Sequence, residues 1–158
     1  MGWFAERIQT PILGMLRQGL SPEGLAWSLA LGLALGIFPL FGTSTVLCLG
    51  AALAFRLNQP AMQLANYLAY PLQLGLLLPF IRLGERLFGT QPVPFSLSML
   101  QAGLKADAWG TVGMFWSSLW HASVAWLLVV PLPTVLLAWI LVPVFRTVRT
   151  LPRPRGPS

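Results

Sequence analysis

The chain has 158 residues, of which 56% are hydrophobic and only 9% are charged. A soluble domain usually has about 25% charged and about 45–50% apolar residues, and the mean hydropathy of +0.71 departs in the same direction. This much apolar surface exceeds what one small core can bury in water. The composition therefore excludes a soluble enzyme, a disordered protein and a disulfide-stapled secreted domain, and it predicts an integral membrane protein.

The positive charge is concentrated at the end of the chain. The net charge is +6, and the last thirteen positions hold Arg146, Arg149, Arg153 and Arg155. Arginines that follow an apolar segment directly hold a tail on the cytoplasmic side, beside anionic lipid. They do not form the cluster that a nucleic-acid groove requires, so we expect membrane lipid and no nucleic acid as a partner.

The two ends of the chain differ from its middle. The first twenty residues carry charges and a proline that a cleavable signal peptide would lack, and their apolar residues recur at roughly helical spacing. This pattern predicts an amphipathic helix that lies in the membrane interface. The predicted organisation is an interfacial helix over residues 1–20, a helical membrane domain over 21–146 and a disordered basic tail over 147–158.

The first long apolar run, residues 24–55, contains an internal break. As one straight helix it would extend about 48 Å, which is longer than a hydrocarbon core of roughly 30 Å. Pro39 removes a backbone donor and Gly42 frees the dihedral angles near the middle of the run. We therefore predict two half-helices of about 15 residues, as in a re-entrant hairpin or a discontinuous helix.

Short motifs mark where helices begin. Ser21 can cap a helix whose first turn holds Pro22 and Glu23, and Asn58 with Pro60 forms a similar start. The remaining predicted elements are one span over 61–81, an interfacial helix over 95–104, and two crossings over 108–145 that hinge at Pro131 and Pro133.

Polar residues within the apolar segments form the main candidate site. Irregular backbone at membrane depth is tolerated only inside protein or against a water-filled cavity. On the predicted span, Asn66, Tyr70 and Gln73 follow i, i+4, i+7 spacing and should share one face. The alternative is a structural kink whose polar groups bond internally. The predicted polar path comprises Pro39, Gly42, Thr43, Ser44, Thr45, Asn66, Tyr70, Pro71 and Gln73.

Other polar residues give weaker signals. Arg56 and Arg82 could contact lipid head groups, although arginines often only mark the ends of spans. His121 and Cys48 are more typical of hydrogen-bonded and packing residues than of catalytic ones. No pair of carboxylates has a spacing suited to acid–base catalysis, and no phosphate-binding or zinc-protease motif is present. We expect no enzyme activity, no cofactor and no metal.

Three features of residues 21–89 are distinctive: Gly36-x-Phe38-Pro39 followed by Gly42, Arg56-x-Asn58, and Leu83-Gly84. With these features the stretch resembles the core of the bacterial inner-membrane family called domain of unknown function 2062. Many members have an Asn-Pro pair and a following threonine in the second span, where this chain has Tyr70, Pro71 and Gln73. The resemblance implies a multi-pass protein of the bacterial inner membrane, with no established activity.

The sequence therefore predicts an all-α, multi-pass helical membrane protein with a broken or re-entrant first apolar segment. The leading functional hypothesis is a small transporter or lipid-translocation protein, acting as a homo-oligomer, with its polar path at the broken helix. The alternative is a non-catalytic membrane scaffold or accessory subunit that binds a partner protein through faces rich in small residues. The first hypothesis predicts substrate movement in vesicles, and the second predicts a co-purifying partner.

Overall fold

The computed structural model describes residues 21–40, 42–93 and 97–150. Within these ranges the secondary structure is helical throughout, as predicted, with seven helices. The helices are α1 (Pro22–Gly36), α2 (Ser44–Phe55), α3 (Gln59–Leu68), α4 (Tyr70–Phe88), α5 (Leu97–Ala106), α6 (Ala108–Val129) and α7 (Pro131–Thr150). The predicted interfacial helix over 1–20 and the tail residues 151–158 lie outside the described residues. Residues 147–150, predicted as the start of the tail, continue α7.

The predicted break in the first apolar run is confirmed. The Ser21 hydroxyl accepts a hydrogen bond from the Gly24 amide at 3.0 Å, and Pro22 occupies the first turn of α1. α1 ends at Gly36 and α2 begins at Ser44. Because each half is shorter than about 20 residues, neither would cross a hydrocarbon core alone.

The two halves of the broken run form a hairpin. After α2, the Asn58 amide donates a hydrogen bond of 2.8 Å to the Ser28 hydroxyl in the first half of α1. The end of α2 has therefore returned to the region where α1 began. The break therefore reverses the direction of the chain instead of continuing one straight helix.

The segment predicted as one span over 61–81 is bent near its middle, into two helices that could together form a single broken span. The predicted cap is present, since the Asn58 side chain accepts from the Ala61 amide at 2.8 Å. However, α3 ends at Leu68, and α4 continues from Tyr70 after a bend of 63°. Pro71 lies in the first turn of α4, where its ring and missing N–H disfavour a straight helix through the preceding turn.

The later elements follow the sequence prediction more closely. The helix expected over 95–104 is α5, and the hinge expected at Pro131 separates α6 from α7. α6 and α7 pack on different partners, because α1 lies against α3 and α7 whereas α4 lies against α6. The protein thus has two groups of helices, α1–α2–α3–α7 and α4–α5–α6, which the chain connects at Ala69 and Val130 and which also share a core where Ala34 packs against α4 and α6.

Glycines allow the closest helix contacts. A Cβ atom on Gly84 in α4 would lie 2.5 Å from the carbonyl carbon of His121 in α6. A Cβ atom on Gly36 in α1 would lie 2.6 Å from the Cβ of Ala69, at the α3–α4 bend. Such small residues are typical of helix packing in membrane proteins, where close backbone approach favours association.

Small residues and large apolar residues are distributed differently between the interior and the surface of the described residues. Alanine dominates the buried apolar residues, whereas large apolar side chains such as Leu53 (73% exposed) and Trp139 (67% exposed) cover the outside. Several buried residues are polar: Ser28, Asn66, Gln73, Glu85, Thr111, Ser118, Ser123 and Thr134. By length and composition, α6 is the one described helix able to cross a membrane, and α3 with α4 would add a second if the bent pair is one span.

Candidate polar path at two helix breaks

The break after α1 leaves backbone carbonyls without their usual helical partners. Pro39 has no N–H to donate to the Leu35 carbonyl, and this carbonyl instead accepts from the Phe38 amide at 3.2 Å. The Ala34 carbonyl accepts a hydrogen bond of 3.1 Å from the Trp126 indole in α6. The rings of Phe38 and Trp126 also meet edge to face, with their centroids 5.0 Å apart. The end of α1 is therefore held by α6.

Gln73 connects this break to the α3–α4 bend. Its side-chain amide donates a hydrogen bond of 2.6 Å to the Phe38 carbonyl. Gln73 is only 3% exposed. A buried carbonyl left without a donor costs about 1–3 kcal/mol. The two interruptions of the helices thus pack against each other and share a hydrogen bond.

A second set of polar contacts lies between α2 and α3. The Asn66 amide donates to the Gln63 side-chain oxygen at 3.2 Å and reaches the Thr45 hydroxyl at 3.5 Å. The Gln63 amide donates to the Thr45 carbonyl at 3.1 Å. We refer to Thr45, Gln63 and Asn66 as the polar cluster. Of the predicted path residues, the structure brings Thr45 and Asn66 together, whereas Gln73 binds the break after α1 separately.

Gln63 belongs to this cluster but is absent from the predicted path. Its position three residues before Asn66 places both side chains on one face of a helix, and this spacing was the available signal. The cluster also has a graded exposure. Thr45 is exposed, Gln63 is partly buried and Asn66 is only 4% exposed. The polar side chains therefore lead from the surface toward the interior.

The other predicted path residues lie at the edges of the cluster or outside it. Pro39 is buried, whereas Gly42 is exposed with φ +80°, a conformation that favours glycine. The Thr43 hydroxyl donates to the Leu40 carbonyl at 2.9 Å, and Ser44 begins α2.

The expectation that Tyr70 shares a face with Asn66 and Gln73 is wrong. Tyr70 is 55% exposed, and Pro71 is exposed as well. The bend at Ala69 interrupts the helical spacing from which the shared face was inferred, so the i, i+4 relationship does not carry across it.

The two candidate head-group arginines differ in their surroundings. Arg82 pairs with Glu85 at 2.8 Å, and Glu85 is only 3% exposed. Glu85 also accepts from the Val93 amide at 2.8 Å, which holds the segment after α4. Arg56, in contrast, is exposed at the end of α2, and no carboxylate among the described residues pairs with it.

The lone histidine and cysteine occupy packing positions. His121 stacks on the ring of Phe88, with centroids 4.3 Å apart. Cys48 is fully buried against Ala52 and Met62, in agreement with its interpretation as a packing residue. Across residues 21–40, 42–93 and 97–150, no three His, Cys, Asp or Glu side chains are placed to hold a metal ion.

Comparison with known families identifies the group to which the sequence is related. Residues 6–151 match the family described as "Uncharacterized protein conserved in bacteria (DUF2062)". The chain belongs to this family. The match confirms the resemblance based on residues 21–89 and extends it over the C-terminal half. Searches of curated proteins and of solved structures found no match.

Proposed function

We propose that this DUF2062 protein is a multi-pass protein of the bacterial inner membrane that moves a lipid head group, or another small polar substrate, past its broken helices. The apolar exterior supports the membrane location. Leu53, Leu128 and Trp139 are each more than half exposed, on α2, α6 and α7. Exposed leucine and tryptophan on so many helices would be costly in water and are favourable in lipid.

The charges support an orientation. The Arg146 guanidinium donates to the Glu23 carboxylate at 2.9 Å, so the start of α1 and the end of α7 lie at one end of the molecule. The turn that carries Arg56 is bonded to Ser28 through the Asn58 amide. Because Ser28 lies in the first half of α1, this turn is on the same side of the molecule as Glu23 and Arg146. Positively charged residues favour the cytoplasmic side. We therefore propose that the C-terminus and the opening of the α1–α2 hairpin face the cytoplasm.

The graded exposure of the polar cluster carries the functional proposal. Thr45 is at the surface between exposed apolar residues of α2, and Asn66 is buried behind it. A row of polar side chains that leads from an apolar surface to the interior suits a molecule whose head group is polar and whose chains remain in the membrane. Polar residues at membrane depth are costly and therefore tend to mark substrate paths.

Lipid movement can be tested in reconstituted vesicles. The assay follows a fluorescent phospholipid, placed in both leaflets, as a membrane-impermeant reductant quenches the outer leaflet. We expect the protein to accelerate exchange between leaflets and Thr45→Val, which keeps the side-chain shape, to reduce the rate. Asn66→Leu should reduce it further. Ser117→Leu, at an exposed serine of α6, is the matched control and should leave the rate unchanged.

The control decides how a loss is interpreted. Equal rates for the wild type, Thr45→Val and Asn66→Leu, all folded by circular dichroism, would contradict a role for the polar cluster. A wild-type rate equal to that of protein-free vesicles would contradict lipid movement itself. A parallel assay with a small polar dye trapped in the vesicles distinguishes a lipid path from a solute path.

One observation favours the scaffold as a second candidate. Gln73 and Gln63 both donate to backbone carbonyls, of Phe38 and Thr45, so these side chains already satisfy the helix breaks internally. In this case the breaks would shape a surface for a partner protein or a second copy of the chain. The scaffold predicts no lipid movement, together with a partner that remains bound through purification.

A further inference from the structure

An apolar cleft lies beside the end of α2, away from the polar cluster. It has a volume of about 420 Å³, and among the described residues it is lined by Trp27, Leu31, Phe55 and Leu57. We refer to it as the Trp27 cleft. Its volume falls within the range of about 300–1,000 Å³ that is usual for small-molecule sites. A narrower cleft of about 180 Å³ shares Trp27 and Leu31 and extends toward Val130 and Thr134.

The wall formed by the end of α2 is fixed to α1. The Leu57 amide donates to the Ala52 carbonyl at 2.9 Å, and the Asn58 amide donates to the Ser28 hydroxyl at 2.8 Å. Asn58 also caps α3. The wall at the end of α2 is thus held by hydrogen bonds from the two residues that directly follow Arg56.

Arg56 stands between the two lining residues Phe55 and Leu57. It has φ 53° and ψ 44°, the left-handed conformation that glycine adopts at much lower cost. Its side chain is exposed, and no carboxylate of the described residues neutralises it, whereas Arg82 is paired with Glu85. A left-handed residue commonly ends a helix, and here Arg56 is the residue that ends α2.

We infer that the Trp27 cleft binds an anionic phospholipid, with an acyl chain along Trp27 and Leu31 and the phosphate on the Arg56 guanidinium. The inference rests on the membrane location in the proposed function. The cleft is apolar, and two of its lining residues flank a cation with which no described carboxylate pairs, so the region offers a match for both parts of such a lipid. Arginine is well suited to phosphate, because its planar group donates several hydrogen bonds in a fixed geometry.

Binding can be measured in detergent, without any vesicle. Native mass spectrometry would count phosphatidylglycerol and phosphatidylcholine molecules bound as each lipid is titrated. We expect Arg56→Gln to weaken phosphatidylglycerol binding about fivefold, as expected for one arginine near an anionic lipid, with little change for phosphatidylcholine. Arg86→Gln is the matched control, because Arg86 is an exposed arginine on α4, and it should bind phosphatidylglycerol as the wild type does.

The acyl-chain part has its own test. Phe55→Ala should weaken binding of both lipids, whereas Leu53→Ala, at a 73% exposed residue of the same helix that does not line the cleft, should not. Equal phosphatidylglycerol binding by Arg56→Gln and the wild type would overturn the head-group assignment. Equal effects of Phe55→Ala and Leu53→Ala would overturn the cleft.

Failure of this inference and failure of the proposed function give different results. Suppose that Arg56→Gln binds less phosphatidylglycerol, and that neither the wild type nor any variant accelerates lipid exchange. The lipid site is then supported, and the proposal of lipid movement is wrong. If exchange depends on Thr45 while lipid binding ignores Arg56, the polar path stands and the site is wrong. Displacement of bound phosphatidylglycerol by millimolar inorganic phosphate would show a site for free phosphate and would overturn the lipid assignment.

Discussion

The side-chain amide of Gln73 lies 2.6 Å from the carbonyl oxygen of Phe38, thirty-five residues earlier in the chain. This hydrogen bond joins the α3–α4 bend to the break between α1 and α2. Neither interruption is an isolated defect, because a side chain beyond the bend supplies a donor to the carbonyl that precedes Pro39. The two pairs of helices are therefore coupled at the point where both change direction.

Loss of this bond should lower stability without removing the helices. Gln73→Leu leaves the partly buried Phe38 carbonyl without its donor, and we expect the free energy of unfolding to fall by about 1 kcal/mol. Gln101→Leu, at an exposed position of α5, is the control and should change it much less. Thermal unfolding in detergent, followed by circular dichroism, measures both. If Gln101→Leu lowers the free energy of unfolding as much as Gln73→Leu does, the role given to Gln73 is contradicted.

The contact between α4 and α6 depends on the absence of a side chain at Gly84. In Gly84→Ala the new Cβ would clash with backbone atoms of His121. Backbone atoms cannot move aside as the end of a flexible side chain can. We expect a loss of about 1–3 kcal/mol, as in other overpacked cores. Gly75→Ala, in the same helix with open space around it, should instead raise stability by up to about 1 kcal/mol. Equal effects of the two changes would rule out the close approach.

The Trp126 indole should contribute through its N–H as well as its ring. Trp126→Phe keeps an aromatic ring near Phe38 but removes the donor to the Ala34 carbonyl. We expect stability to fall by about 1 kcal/mol or more, from the lost bond and some lost packing. Trp139→Phe, at a residue that is 67% exposed, should be nearly neutral. Denaturant titration of the two variants side by side measures the difference.

The left-handed conformation of Arg56 predicts a conflict between stability and binding. Arg56→Gly relieves the steric cost at φ 53°, and we expect a gain of about 0.5–1 kcal/mol. The same change removes the cation and should reduce phosphatidylglycerol binding as Arg56→Gln does. Gly89→Ala, at φ 62°, is the reciprocal control and should lose stability. If Arg56→Gly is more stable and binds phosphatidylglycerol as the wild type does, the proposed role of Arg56 in lipid binding is wrong.

Local chemistry in the sequence predicted much of the helical framework. Ser21 and Asn58 cap α1 and α3 as their residue types and neighbours indicate. The break near Pro39 follows from the missing N–H and from a run too long for one crossing. The hinge at Pro131 has a similar local cause. These features depend on residues close together in the chain, so the sequence alone was sufficient.

The bend at Ala69 was missed for the opposite reason. Proline can be accommodated in a bent helix or can separate two helices, and packing against α1 and α6 decides between these outcomes. Once the bend is present, Tyr70 turns outward while Asn66 and Gln73 stay buried. Glu85 is buried and paired with Arg82, and no local pattern in the chain indicates that burial.

The most direct test of the proposed path is water access to Thr45 and Val46 in native membranes. In a Cys48→Ala background, Thr45→Cys and Val46→Cys would be treated with a membrane-impermeant maleimide, with unfolded protein as the full-labelling control. Thr45 belongs to the polar cluster, whereas Val46 is 69% exposed beside it. The account predicts labelling of Thr45→Cys and protection of Val46→Cys by lipid. Equal labelling of both would contradict a membrane around α2, and protection of both would contradict a water-accessible polar path.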